Sequence, residues 1–456
     1  MAAVGQPIQI ILRNLSVSRD ASETKGFGLK LKFGMPGIHC SRRTVLICCV
    51  AVAAAALLLA ADTAADLLVA RVKVGITADI ADSRGVSCME SVERTRYMPR
   101  KAAGGPTCAG LIAAVATAPL GDVEWHDRLR LNVTAGSAAE EFALTEASRF
   151  EGADIAGMLK TADAGRGEFS TFLRNLMAGD GESFETRGVE QTPYGQLQAI
   201  GFTVPAARSH FQGGAAYRGS LYARPGSNEL KRLLLVSENA SAGAGETCRV
   251  QYTIDYAETR VGESEIVLPQ SSIMDAIDRD GKEVHSETFY SSCRRQRTDA
   301  AAPSAAAVAK PLPPNTRLKV RFEVPIEGET AATGDPVIGI IRTTVKDKQN
   351  GVIVHAGDRL HGRIAAIEEY LLPHLQWNVA IVFETIERGV GEHGIDQGVE
   401  QPVTLVPLDD GDREPHDEPM GPAELQKLRP TGGGYFVFHD ANLLIDKNFE
   451  MEWETR

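Results

Sequence analysis

The sequence predicts a mainly β fold with a few helices (α+β): an antiparallel-sheet domain, a smaller antiparallel barrel or sandwich after it, and one apolar helix ahead of both. Three observations predict it. Segments that alternate apolar and polar residues with a period of two recur from about residue 84 to the C-terminus. An uncharged apolar run lies near the N-terminus, and an Ala/Pro-rich stretch separates two strand-rich regions. With 456 residues, 43% hydrophobic and 24% charged, the chain has enough apolar mass for two or three domains with real cores. Its net charge of -12 argues against nucleic acid as a partner, because that binding needs clustered Lys and Arg.

Residues 1–43 form a basic extension that includes Lys25, Lys30, Lys32, Arg42 and Arg43. The segment 44–65 follows, and its core Val45–Ala61, VLICCVAVAAAALLLAA, is uncharged. At about 1.5 Å per residue that run is at the short end of what spans a bilayer, so it reads as a signal-peptide core or as a transmembrane anchor. Starting at Met35 would give the compact basic leader MPGIHCSRR, and Thr63-Ala64-Ala65 offers small residues for cleavage. In both readings the basic side stays cytoplasmic and the rest is exported to the periplasm or cell envelope, attached to the membrane through this segment if it is not cleaved.

Residues 84–297 make the first strand-rich domain. Leu129, Leu131 and Val133 alternate with Arg128, Arg130 and Asn132, and Val250, Tyr252, Ile254 and Tyr256 alternate with Arg249, Gln251, Thr253 and Asp255. Between Gly152 and Met177 the period changes to helical, with Ile155, Met158, Leu159, Phe169, Phe172, Leu173 and Leu176 at spacings of three and four. Tyr217 to Val236 reads as a hairpin turning at Pro225-Gly226-Ser227-Asn228, and Asp278-Arg279-Asp280-Gly281 as a second turn. Glu90, Glu93, Arg94 and Arg96 read as an exposed, charged strand edge.

Residues 298–314 are the Ala/Pro linker, and 315–456 the second β domain. Leu318, Val320, Phe322 and Val324 alternate with charged residues there. Val337 to Val345, Val352 to Val354, Leu360 to Ile367 and Trp377 to Ile386 follow, and a last strand puts Phe449, Met451 and Trp453 on one side. The stretch 391–420 carries nine acidic residues against Arg413 alone, a solvated loop and a place for partner contact.

Seven cysteines divide into Cys40, Cys48 and Cys49 at or before the apolar run and Cys88, Cys108, Cys248 and Cys293 after it. An even exported set fits two disulfides, although four cysteines allow three pairings and four free buried thiols are the other reading. Cys88 with Cys293 is favoured because that bridge ties the two ends of one domain, which leaves Cys108 with Cys248.

No cofactor or metal is implied. Gly389, Gly391 and Gly394 match G-x-G-x-x-G, but the following residues are acidic and stopped by Pro402, so a loop is the reading, not a helix that receives a pyrophosphate. There is no phosphate-binding Gly-Lys-Ser/Thr and no G-x-S-x-G elbow. His393, Asp396, His416, Asp417 and Glu418 are too loosely spaced for a metal site, and His355 and His361 read as surface histidines. No catalytic residue is assigned.

In the order of its elements the middle region resembles exported bacterial proteins of the lipoprotein-carrier superfamily, the outer-membrane lipoprotein localisation fold. The resemblance runs through the early strand Cys88 to Tyr97, the helical insertion, the Y-x-G-x-L hairpin of Tyr217, Gly219 and Leu221, and the terminal Ser291-Ser292-Cys293-Arg294. It implies a strongly curved half-barrel with helices over its mouth and an apolar concavity for acyl chains, and it assigns no contact residues. Val352 to Arg363 is similar to the strand-turn-strand of small barrels in envelope-assembly proteins.

The functional expectation is a non-enzymatic exported envelope protein that binds a lipid, a lipoprotein acyl chain or another apolar ligand. Its alternatives are an envelope scaffold that docks a protein partner through the C-terminal domain, and an exported hydrolase with an unrecognised site.

Overall fold

The structure, a computed structural model, describes residues 65–99, 107–117, 120–136, 140–145, 167–179, 182–209, 215–239, 246–296, 312–388, 399–408 and 433–456. The apolar run Val45–Ala61, residues 298–311 of the linker, the glycine motif at 389–394, most of the acidic stretch 391–420 and the positions of Ile155, Met158 and Leu159 lie outside them.

A helix, α1 (65–83), precedes the first strand. Its Leu68, Val69, Val72, Ile76 and Ile80 recur at spacings of three and four and form one apolar stripe that packs into the core. Two further helices are α2 (Cys108–Thr117) and α3 (Thr171–Ala178). Among the described residues no helix is long and apolar enough to cross a membrane.

Ten strands follow in the first half: β1 (Val86–Tyr97), β2 (Val123–Ala135), β3 (Glu140–Leu144), β4 (Ser183–Thr192), β5 (Gly195–Val204), β6 (Tyr217–Ala223), β7 (Leu230–Glu238), β8 (Thr247–Val261), β9 (Ser264–Asp278) and β10 (Glu283–Arg295). From β4 to β10 each strand pairs antiparallel with the next, β10 pairs with β1, and β1 with β2. The meander needs tight reversals. Between β6 and β7 the chain turns through Gly226 and Asn228, both left-handed at φ 92° and 59°, a conformation that glycine and asparagine tolerate best. Asp278 to Gly281 makes the β9–β10 turn.

The second half adds β11 (Arg317–Phe322), β12 (Ile326–Glu327), β13 (Pro336–Ile341), β14 (Val345–Lys346), β15 (Val352–Val354), β16 (Arg359–Tyr370), β17 (Gln376–Arg388), β18 (Val399–Pro402), β19 (Leu405–Pro407), β20 (Gly434–Phe438), β21 (Leu444–Ile445) and β22 (Glu450–Thr455). Inward residues of β11, β13, β16, β17 and β22 share one core, where Phe383 meets Trp453 edge to face at 5.0 Å. The first strand stops at Phe322, so Val324, expected to continue the alternation, is exposed.

The two halves share hydrogen bonds. In β2 the residues Trp125, His126 and Asp127 pair with Tyr370, Glu369 and Glu368 of β16, so the C-terminal strands continue the N-terminal sheet. Among the described residues one large antiparallel sheet of 18 strands results, and it is not closed into a barrel. Two successive short strands add to it separately, β18 on β17 and β19 on β22. Residues 62–456 are one compact unit.

Candidate functional site

The first ten strands turn one face towards α1 and α3. On that face β5 to β8 contribute Ile200, Phe202, Val204, Leu221, Leu233, Leu235, Val250, Tyr252 and Ile254, all buried under Val72 and Ile76 of α1 and Leu173 and Leu176 of α3. Phe172 of α3 stands edge-on to Tyr252 at 5.0 Å. The helices fit closely. Among the described residues a cavity of about 20 Å³ lies between α1, α3 and the sheet, bounded by Ile76, Ile80, Leu173, Tyr256 and Leu268. Asp79 sits at that seam, half-buried, and burial together with Asp82, Glu229 and Glu258 raises its pKa to about 6.

Across β9, β10 and β1 the same face becomes polar. One cross-strand row runs Tyr252, Met274, Ser286, Arg94, Asp127, and the next runs Ile254, Ser272, Thr288, Val92, Leu129. A third pairs Tyr290 with Glu90. Glu90, Ser272 and Ser286 are 1%, 2% and 1% exposed, and Glu90 Oε2 and both serine hydroxyls have no hydrogen-bond partner. The remaining oxygen of Glu90 accepts from the Tyr290 hydroxyl at 3.5 Å. Burial, followed by the neighbouring charges of Glu168 and Glu140, pushes the Glu90 pKa well up, which favours its neutral form.

The exposed charged edge expected at Glu90 to Arg96 is therefore corrected. Strand β1 lies between β10 and β2, so its alternate side chains face the interior, and only Glu93 points out to meet Arg128. Arg94 forms a buried two-pronged ion pair with Asp127, its Nε at 2.8 Å from Oδ1.

Glu140, reaching from β3, accepts hydrogen bonds from the backbone N–H groups of Gly167, Ser170 and Thr171 at 2.7, 2.7 and 3.1 Å. A carboxylate at this end satisfies the donors that a helix leaves open and complements its dipole. It thereby fixes α3, and Phe169 and Glu168 just before it, over Tyr290.

The structure bridges Cys88 to Cys293 and Cys108 to Cys248, the pairing favoured on sequence grounds. The first clamps β1 to β10. The second pins α2 against the opposite face of the sheet, where a cleft of about 210 Å³ is lined by Tyr97, Val115, Arg249, Asp275, Glu283 and His285. Two such bridges mark an oxidising, exported compartment. His355 is exposed and His361 meets Glu387 at 3.2 Å. Among the described residues no group of three or more His, Cys, Asp or Glu is placed to hold a metal ion.

No family model matches the chain, and no curated relative does. Among solved structures it is similar to a DUF1329 family protein from Desulfovibrio piger ATCC 29098, at 12% identity and a TM-score of 0.26, over 50% of this chain and 92% of that one. A likeness at that score carries no argument about function.

The inner face thus has two zones, an apolar one roofed by α1 and α3 and a polar one across β9, β10 and β1. Isolated serines are common in strands and carry no signal in the sequence; the register is what brings Ser272, Ser286 and Glu90 onto one face.

Proposed function

We propose that this is an exported envelope protein, a binding protein and not an enzyme, that holds the acyl chain of a lipid or lipoprotein on the inner face of its N-terminal sheet. One observation carries the reading. Among the described residues the apolar zone of that face is covered by α1 and the two-turn α3, and α1 reaches it as an amphipathic helix whose outer side still exposes Leu67 and Val74. An acyl chain would take the place of the α1 stripe, exchanging one apolar contact for another at little cost in buried area. The lipoprotein-carrier resemblance of residues 84–297 agrees with this reading. Upstream of α1, the run Val45–Ala61 would act as signal or anchor and leave the protein in the periplasm or at the membrane surface.

The test is lipid analysis of the protein purified from its host envelope in mild detergent, followed by reloading of the delipidated protein with radiolabelled hexadecane. Co-purified acyl lipid, and hexadecane uptake that rises when Val72→Ala and Ile76→Ala loosen α1, are expected. Lipid-free protein that takes up no hexadecane, with or without those changes, would end the proposal.

A further inference from the structure

We propose that the cleft under α2, on the face of the sheet opposite the apolar zone, is a second binding site, for a small zwitterion with an apolar side group, of which an apolar amino acid is the simplest. The inference stands apart from the acyl-binding reading. One row of the cleft floor runs Arg249, Ile277, Glu283, Tyr97 from β8 to β1, and the next runs Gln251, Asp275, His285. At about 30 Å³ per water molecule, the cleft's 210 Å³ holds about seven waters or one molecule of amino-acid size.

The two ends of the cleft differ in sign. At the β8 end Arg249 donates from Nη2 to Gln251 at 2.7 Å, while its Nε is buried without a hydrogen-bond partner. Glu238 stays 3.8 Å from that nitrogen and is shared with Arg218 at 3.3 Å, so two guanidinium groups face one acid. At the β1 end the charges of Asp275, Glu283 and Glu287 act on Tyr97, and His285 sits between Asp275 and Glu287. Asp275 Oδ1 meets His285 Nδ1 at 2.7 Å, and Asp275 Oδ2 accepts no hydrogen bond among the described residues. Burial first, then the three carboxylates, pushes the Tyr97 pKa up, which keeps its hydroxyl a neutral donor and acceptor. Arg249 and Asp275 are diagonal neighbours on adjacent strands, about 7–8 Å apart at the backbone, so one small molecule can set a carboxylate at the first and an ammonium at the second. Between them Ile277, Val115 of α2 and Leu120 make an apolar wall, where the Cys108–Cys248 bridge holds the helix. A fatty acid would leave the acidic end unanswered and an alkylamine would leave Arg249 so, whereas a zwitterion answers both.

The measurement is equilibrium dialysis of the full-length protein in mild detergent against radiolabelled L-leucine, isopentylamine and 4-methylpentanoate, which share one apolar group and differ in their charged ends. Leucine should bind the wild type at least tenfold more tightly than either analogue, since each analogue gives up one charged contact. Arg249→Gln should cost leucine about tenfold and leave isopentylamine unchanged. Asp275→Asn should weaken leucine and isopentylamine together and spare 4-methylpentanoate. The comparison of the three ligands on the wild type needs no variant to fold. An analogue that binds as tightly as leucine, a leucine affinity unmoved by both substitutions, or no leucine bound to the wild type at millimolar concentration would each overturn the site, and all three leave the acyl-binding reading untouched.

Discussion

His285 shows what the register alone decides. The β9–β10 turn at Asp278 to Gly281 sets Asp275 opposite His285, and their side chains meet at 2.7 Å, with Glu287 on the other ring nitrogen at 3.2 Å. The hydrogen bond to Asp275, ahead of Glu287, raises the histidine pKa above 6.5. A group whose folded pKa is raised contributes stability that is complete below its unfolded value and is lost as pH rises through the folded one. The stability difference between wild type and Asp275→Asn should therefore be larger at pH 6 than at pH 9, and the His285 NMR titration midpoint should fall towards 6.5 in the variant. Equal differences at the two pH values would show the pair to be uncoupled. The turn was legible in the sequence, and with it the pairing follows by counting. Glu90 and Arg94 were not legible, because a run in which inward and outward positions are both charged has no binary pattern, and only the long-range partners β10 and β2 decide which side is buried.

Among the elements, the strands were readable because a half-buried strand must alternate, and β8 does so from Cys248 to Tyr256. Helix α1 has its signal in Leu68, Val72 and Ile76 at intervals of four, but the apolar run before it dominates that region of the sequence. Asp79 on α1 is the element's weak point. An acid whose folded pKa is raised from 3.8 to about 6 favours folding when protonated, and that stability is lost as pH rises through this window. In a fully buried site the shift would correspond to about 3 kcal/mol, and solvent screening of a half-exposed group reduces it to about 1 kcal/mol. Asp79→Asn should then stabilise the protein by an amount that grows from pH 4 and levels off above pH 6, as read by thermal melts at several pH values. With α1 held down more firmly, hexadecane loading at pH 7.5 should slow. A stabilisation that is the same at all pH values would mean that Asp79 carries no such penalty.

On the scale of the whole molecule, the decisive feature is that the two halves are joined by backbone pairing that sets charged side chains around the buried Trp125 and Tyr370. Around the β2–β16 contact lie the Arg94–Asp127 pair, Glu368, Tyr370, and Trp125 with Arg94 and Arg96 over its ring at 5.4 and 5.1 Å. Beside it Arg130 grips both oxygens of Asp335 at 2.5 and 2.6 Å, and the backbone of Arg130 and Thr333 is hydrogen-bonded. The sequence separates these halves by an Ala/Pro stretch, and nothing local reveals that strands some 240 residues apart pair across it. Glu368 is the member of this joint that titrates near neutrality. Burial first, then the Asp127 charge, raises its pKa to about 7, against the pull of Arg94. The sign is that of a raised acid: the stability is present below 4.5 and disappears as pH climbs through 7. The difference corresponds to about 3 kcal/mol at pH 8. Glu368→Gln, which keeps the shape and removes the charge, should therefore raise the melting temperature by a few degrees at pH 8 and progressively less towards pH 4.5. Because the joint links both halves, calorimetry should show the gain on a single transition that contains both. Two separate transitions, with only one moved by the variant, would show that the shared ladder does not couple them.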